Sequence, residues 1–108
     1  AMSGDVMDPA AFRASLAAEA PPTGLSVPLQ ALWWSGKGRW EQAHELAQSV
    51  EDREGAWVHA HLHRVEGDLA NAAYWYRRAG RDVCTTTIDA EWRALSAAML
   101  PSAPGADG

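Results

Sequence analysis

A chain of 108 residues, 47% hydrophobic and carrying six tryptophans, is long enough to close one core and too apolar for disorder. Fourteen Asp and Glu against nine Lys and Arg leave a net charge of −5, which excludes the basic face that phosphate binding needs, so nucleic acid is not an expected partner. Cys84 is the single cysteine, which rules out an intramolecular disulfide and a cysteine-rich zinc site, and no apolar run approaches the roughly 18 residues of a membrane span. With no signal-peptide pattern at the start, the cytoplasm is the expected location.

The first element opens at Asp8-Pro9, an N-cap followed by proline at the first helical position, and runs through AAFRASLAAEA with Phe12 and Leu16 four apart. After PPTG, Ser26 caps a second helix that carries Leu29, Leu32 and Trp33, with Pro28 tolerated in the first turn. GKG then precedes RWEQAHELAQSVED, where Trp40, Ala43, Ala47 and Val50 fall at helical spacing and Leu46 widens the stripe. A fourth helix, Glu54 to Glu66, aligns Val58, Leu62 and Val65. Gly67-Asp68 turns the chain into a fifth, with Leu69, Ala72, Ala73, Tyr76 and Ala79 on one stripe and Gly80 as its stop. Thr87 opens a sixth with Ile88, Trp92, Leu95 and Met99, ending at Pro101. The expectation is an all-α protein of five to six short helices in one domain over 8–100, with helix-turn-helix units at 27–50 and 56–79. Residues 1–7 and 101–108 are expected to be disordered tails.

The stretch WVHAHLHRVEGD alternates His59, His61 and His63. On a strand all three imidazoles would point one way; on a helix, turning about 100° per residue, His59 and His63 share a face and His61 points away. Two ligands at i and i+4 fall short of the three or four a stable zinc site needs. Glu66 lies about 10 Å along the axis from His59, too far to join it on one ion, so a third ligand must come from another helix, with His44 the candidate. The expectation is therefore that His59 and His63 are packing residues, with no cofactor, and that a metal-dependent or small-molecule-binding enzyme using His44, His59, His63 and Glu66 is the alternative.

Sliding the sequence by 29 residues superposes Gly38 on Gly67, Trp40 on Leu69, Ala43 on Ala72, Leu46 on Trp75, Ala47 on Tyr76 and Val50 on Ala79. Upstream, Leu29 falls on Val58, Ala31 on Ala60 and Trp33 on Leu62. GKGRWEQAHELAQSV and EGDLANAAYWYRRAG resemble the turn and second helix of tetratricopeptide repeats. Ala47 stands where that family has an aromatic, and the period is shorter than the family's usual length of about 34. The string AWVHAHLHRVEGDLANAAYWYRRAGR is also similar to stretches of small bacterial proteins of unknown activity. The tetratricopeptide resemblance implies a non-catalytic protein-protein interaction module, in which Trp57, His61 and Arg64 match first-helix positions that line the groove and Tyr74 is a weaker member. It implies a protein or peptide partner, with a second copy of the chain as another candidate.

In Tyr74-Trp75-Tyr76 the helical period sends Tyr76 to the core stripe and the other two elsewhere. Arg77, Arg78 and Arg81 suit a helix C-terminus, where cations compensate the macrodipole. Ser35-Gly36-Lys37-Gly38 lacks the upstream Gly and the following Ser or Thr of a phosphate loop, and neither a G-x-S-x-G elbow nor an H-E-x-x-H pair occurs.

Overall fold

The computed structural model describes residues 7–101, and these form an all-α arrangement of six helices with no strand among the described residues. The expected tails 1–7 and 101–108 lie outside them except for Met7 and Pro101. The helices are α1 (Pro9–Ala14), α2 (Val27–Gly36), α3 (Trp40–Gln48), α4 (Arg53–Glu66), α5 (Leu69–Ala79) and α6 (Ile88–Met99), with a 3-10 turn at Ser15–Ala17. No helix of the described residues is long and apolar enough to cross a membrane.

The anticipated caps are in place. Asp8, Ser26, Asp68 and Thr87 each accept a hydrogen bond from the backbone N–H three residues on, which satisfies one otherwise unpaired donor at each helix start. Two helices stop earlier than their periodicity suggests, and a serine is the reason both times. Ser15 Oγ turns back onto the Phe12 carbonyl and also accepts from Trp33 Nε1, tightening the chain into the 3-10 turn. Ser49 bonds the Leu46 carbonyl through both its backbone N–H and its hydroxyl, so α3 ends at Gln48 and Val50 is off the helix.

Helices α2 and α3 pack as one hairpin and α4 and α5 as a second, with α6 laid across α2 and α4 and α1 against α6. Phe12, Leu29, Leu32, Trp33, Val58, Leu62, Trp92 and Leu95 form the main core, and Ala60, Ala72 and Tyr76 a smaller one inside the second hairpin. Five pairs of positions 29 apart are buried together, Leu29 with Val58, Ala31 with Ala60, Trp33 with Leu62, Ala43 with Ala72 and Ala47 with Tyr76, whereas Trp40 is half-buried against an exposed Leu69 and Val50 half-buried against a buried Ala79. The turn glycines match as well, Gly38 at φ +80° and Gly67 at φ +89°, left-handed values that a side chain would strain. Three stripe residues are exposed instead of buried: Val65 at 40%, Leu69 at 66% and Ile88 at 43%. Each lies at a helix end or one residue from it.

Candidate functional site

The third imidazole does arrive. α3 carries His44 across to the His59–His63 face of α4, and one ligand nitrogen from each of the three histidines lies within 4.8 Å of the other two. Ring centroids stand 4.6 Å apart for His44 and His59, 5.4 Å for His44 and His63 and 4.9 Å for His59 and His63. His59 and His63 are buried, while His44 is half-buried at the mouth. Two tryptophans wall the cluster. Trp75 of α5 stacks on His59 at 3.8 Å and Trp40 of α3 on His44 at 4.7 Å, and Trp40 is itself pinned by donating Nε1–H to the Leu62 carbonyl at 2.7 Å.

Protonation favours ligation. Burial lowers the pKa of His59 to about 4, with further depression from His44 and His63, and burial together with His63 lowers that of His44. Neutral imidazoles present the lone pair a metal needs. Neither ring of His44 or His59 makes a hydrogen bond among the described residues, whereas His63 Nδ1 lies 2.7 Å from Glu66 Oε2. A carboxylate only accepts, so Nδ1 carries the hydrogen and Nε2 is the ring nitrogen left to serve as a ligand. A carboxylate that fixes the tautomer of a histidine in this way is the usual outer partner of a metal-binding imidazole. Glu66 thus stands behind a ligand, consistent with its being too far along the axis to share an ion with His59.

Nitrogens on a tetrahedral zinc at 2.0–2.1 Å would stand about 3.3 Å apart, a spacing that falls inside the 4.8 Å within which the three ligand nitrogens gather.

His61 points away, as helical geometry requires, into a separate buried cluster. Its Nδ1 lies 2.8 Å from Glu91 Oε1, Arg64 Nη1 reaches the same oxygen at 3.0 Å, and the Tyr76 hydroxyl donates to Oε2. Burial by itself would raise the pKa of Glu91, but hydrogen bonds from His61, Tyr76 and Arg64 outweigh it and hold the carboxyl below its ordinary value. Burial and the same carboxylate push the Tyr76 hydroxyl up. Burial works against the charge on Arg64, and Glu91 more than offsets it, so that guanidinium is held above its ordinary value.

The residues expected to form one contact face are therefore spread over different surroundings. His61 is completely buried, and Arg64 is tied to Glu91 and the Thr86 carbonyl. Trp57 is half-buried under the Arg81 guanidinium, 3.4 Å from its ring, and Tyr74 is exposed on α5 with its hydroxyl accepting from Arg78. Trp57, Tyr76, Arg81, Cys84, Thr86 and Glu91 border an open hollow of about 500 Å³. Sequence reading passed over Glu91 and the role of Trp40. Glu91 had a signal, since it sits four residues before Leu95 on the apolar side of α6; Trp40 had none beyond its stripe position.

Compared with known protein families, with curated proteins and with solved structures, the chain matches none of them.

Proposed function

We propose that this protein is a small helical metal-binding domain that holds one divalent transition-metal ion, zinc being the reference case, through His44, His59 and His63. The observation that carries the reading is the convergence of three imidazole nitrogens from two helices, one of them oriented by Glu66. Three nitrogen ligands leave a fourth position for water, the arrangement of sites that act on a substrate or exchange their ion rather than of closed structural sites. The histidine cluster thereby takes precedence over a catalytic elbow or phosphate loop, neither of which the chain contains.

Cobalt(II) gives a direct test. Protein purified without a metal-affinity tag should bind one equivalent with the visible spectrum of a four-coordinate nitrogen site, and zinc should displace it. His59→Ala and His44→Ala should each abolish the spectrum with little change in helical circular dichroism. Glu66→Gln should keep the ligands and weaken binding by about 10- to 100-fold, the usual effect of losing an outer partner. A cobalt spectrum that survives His59→Ala would refute the assignment.

A second reading, an interaction module, draws support from the hollow beside Trp57 and Arg81. An exposed guanidinium over an indole suits a peptide carboxylate or acidic side chain. Trp57→Ala should weaken capture of such a partner without touching cobalt binding, which separates the two readings.

A further inference from the structure

His63 has two nitrogens, and a trihistidine ion takes only one. The other, Nδ1, lies 2.7 Å from Glu66 Oε2. The lone-pair directions of the two imidazole nitrogens diverge, so whatever meets Nδ1 stands on the far side of the ring from an ion on Nε2. The chain brings a second carboxylate to that side. Gly67 adopts a left-handed φ of +89°, and the Asp68 N–H then closes on the His63 carbonyl at 2.9 Å, folding the chain back over the last turn of α4. One ligand atom each from His63, Glu66 and Asp68 lies within 4.8 Å of the other two. An ion about 2.1 Å from each of three donors spaces them roughly 3 to 4 Å apart, inside that limit.

Charge points the same way. Among the described residues, neither Glu66 nor Asp68 forms an ion pair with Lys or Arg. Two carboxylates therefore converge on one imidazole with no side-chain cation to offset their repulsion. Their lone pairs are not spent: Asp68 accepts from the Asn71 N–H on Oδ1 and from the Asn71 amide on Oδ2, one bond to each oxygen, which leaves a lone pair on both. Glu66 and Asp68 are exposed, so an ion reaches this edge of His63 from solvent without crossing the core.

We propose that the Gly67 turn carries a second divalent-cation site, formed by His63 Nδ1, Glu66 and Asp68, with the His63 ring bridging it to the ion held on Nε2. The bridge rests on the trihistidine reading. As the second ion binds, the Nδ1–H bond breaks, its proton leaves to solvent and the electron pair of the nitrogen goes to the metal, so the ring becomes an imidazolate with one metal on each nitrogen. Glu66 turns from outer partner to ligand in the same step. Displacing that proton and placing one cation near another make this the weaker site, filled after the first equivalent. Two carboxylate oxygens and one imidazole nitrogen suit a first-row ion such as manganese(II) or zinc(II).

Copper(II) is the probe, because it binds such donors most tightly of the first-row divalent ions and because an imidazolate couples two copper spins antiferromagnetically. Full-length protein titrated with copper(II) and followed by electron paramagnetic resonance at liquid-helium temperature should give a mononuclear signal at one equivalent. A second equivalent should reduce the integrated signal by more than half instead of doubling it. Asp68→Ser keeps a side chain of equal capping strength and lacks the carboxylate. It should retain the one-equivalent signal and the helical circular dichroism, and bind the second equivalent at least tenfold more weakly with no loss of signal; Asp68→Asn is the substitute if that variant does not fold. A second equivalent that adds its full signal, uptake that stops at one equivalent in the wild type, or spin pairing that survives loss of the Asp68 carboxylate would overturn the second site alone. The trihistidine reading fails differently: if His59→Ala binds the first equivalent as tightly as the wild type, that reading falls and the bridge with it.

Discussion

The hairpins α2–α3 and α4–α5 repeat one pattern of burial and fill it with opposite chemistry. Leu32 in the first corresponds to His61 in the second, 29 residues on, and both are completely buried. Consecutive residues of α6 serve the two positions. Trp92 donates its Nε1–H to the Leu32 carbonyl and closes the first hairpin with an apolar face, whereas Glu91 meets His61 and brings a carboxylate to the second. The contrast teaches that a helical frame accepts a polar residue at a core position when the element crossing it brings the complementary group. The outer faces differ in the same way: α3 and α5 present Leu46 and Trp75 at equivalent positions, and it is Trp75 that stacks on His59.

The largest expected effect comes from making the second hairpin resemble the first. Glu91→Leu removes the shared acceptor of His61, Tyr76 and Arg64 and should destabilise by about 3–5 kcal/mol, the range for breaking a buried charged pair from one side. The triple variant His61→Leu, Tyr76→Phe, Glu91→Leu removes two of the three donors too, leaving Arg64 with the Thr86 carbonyl, and should recover part of that loss, since well-packed apolar replacements of a buried polar group are often neutral. Urea unfolding followed by circular dichroism measures both. A triple variant no more stable than the single one would show that the polar cluster contributes through packing rather than through pairing.

Acid should separate the hairpins next. The unfolded chain protonates His59 near its ordinary pKa of 6.5, whereas the folded chain resists until about 4, so stability falls as pH drops through that window. Glu91, held below its ordinary 4.5, contributes stability that is present above that value and lost as pH falls beneath it. The larger printed shift, that of His59, lies in the second hairpin, with His44 of α3 lowered beside it, and the two effects occupy successive ranges. The unfolding constant should rise on the order of tenfold or more between pH 7 and 5 in the wild type and by clearly less over that interval in His59→Gln, where the depressed His44 still contributes, while the loss below 4.5 persists. Metal binding should weaken over the same interval, because protons compete for the ligand nitrogens.

How far the sequence reveals this follows from which contacts are local. Caps and turns could be read because an N-cap acts over three residues and a left-handed turn needs glycine where it stands, as at Asp68 and Gly67. The splitting of the three histidines follows from helical rotation alone. The sequence offers His44 as the candidate for a third ligand, but whether it reaches His59 depends on how α3 packs against α4, a distance no local pattern encodes. Glu91 joins His61 across 30 residues, and Trp92 joins Leu32 across 60. The early ends of α1 and α3 were missed because a serine hydroxyl competes with the helix for a carbonyl only once tertiary contacts select that turn.

The smallest expected effect concerns a cap present in one hairpin and missing from the other. Asp68 caps α5 by accepting from the Asn71 N–H at 3.2 Å, with the Asn71 amide on its other oxygen at 3.1 Å. Its counterpart before α3 is Arg39, which makes no capping bond and sets a cation against the positive end of the helix. The backbones are already alike, φ −101° and ψ 74° at Arg39 against φ −90° and ψ 81° at Asp68, so an aspartate needs no rearrangement to cap there. Gln42 occupies the position of Asn71, three residues after the cap, where its amide can reach back as in a capping box. Arg39→Asp should stabilise the protein by about 1 kcal/mol, and Asp68→Arg should destabilise it by a similar amount. Because Arg39 is exposed and outside the histidine cluster, cobalt affinity should not change in the first variant. If Arg39→Asp lowers the urea midpoint, the two helix starts are not equivalent, and the correspondence at 29 residues holds for burial alone.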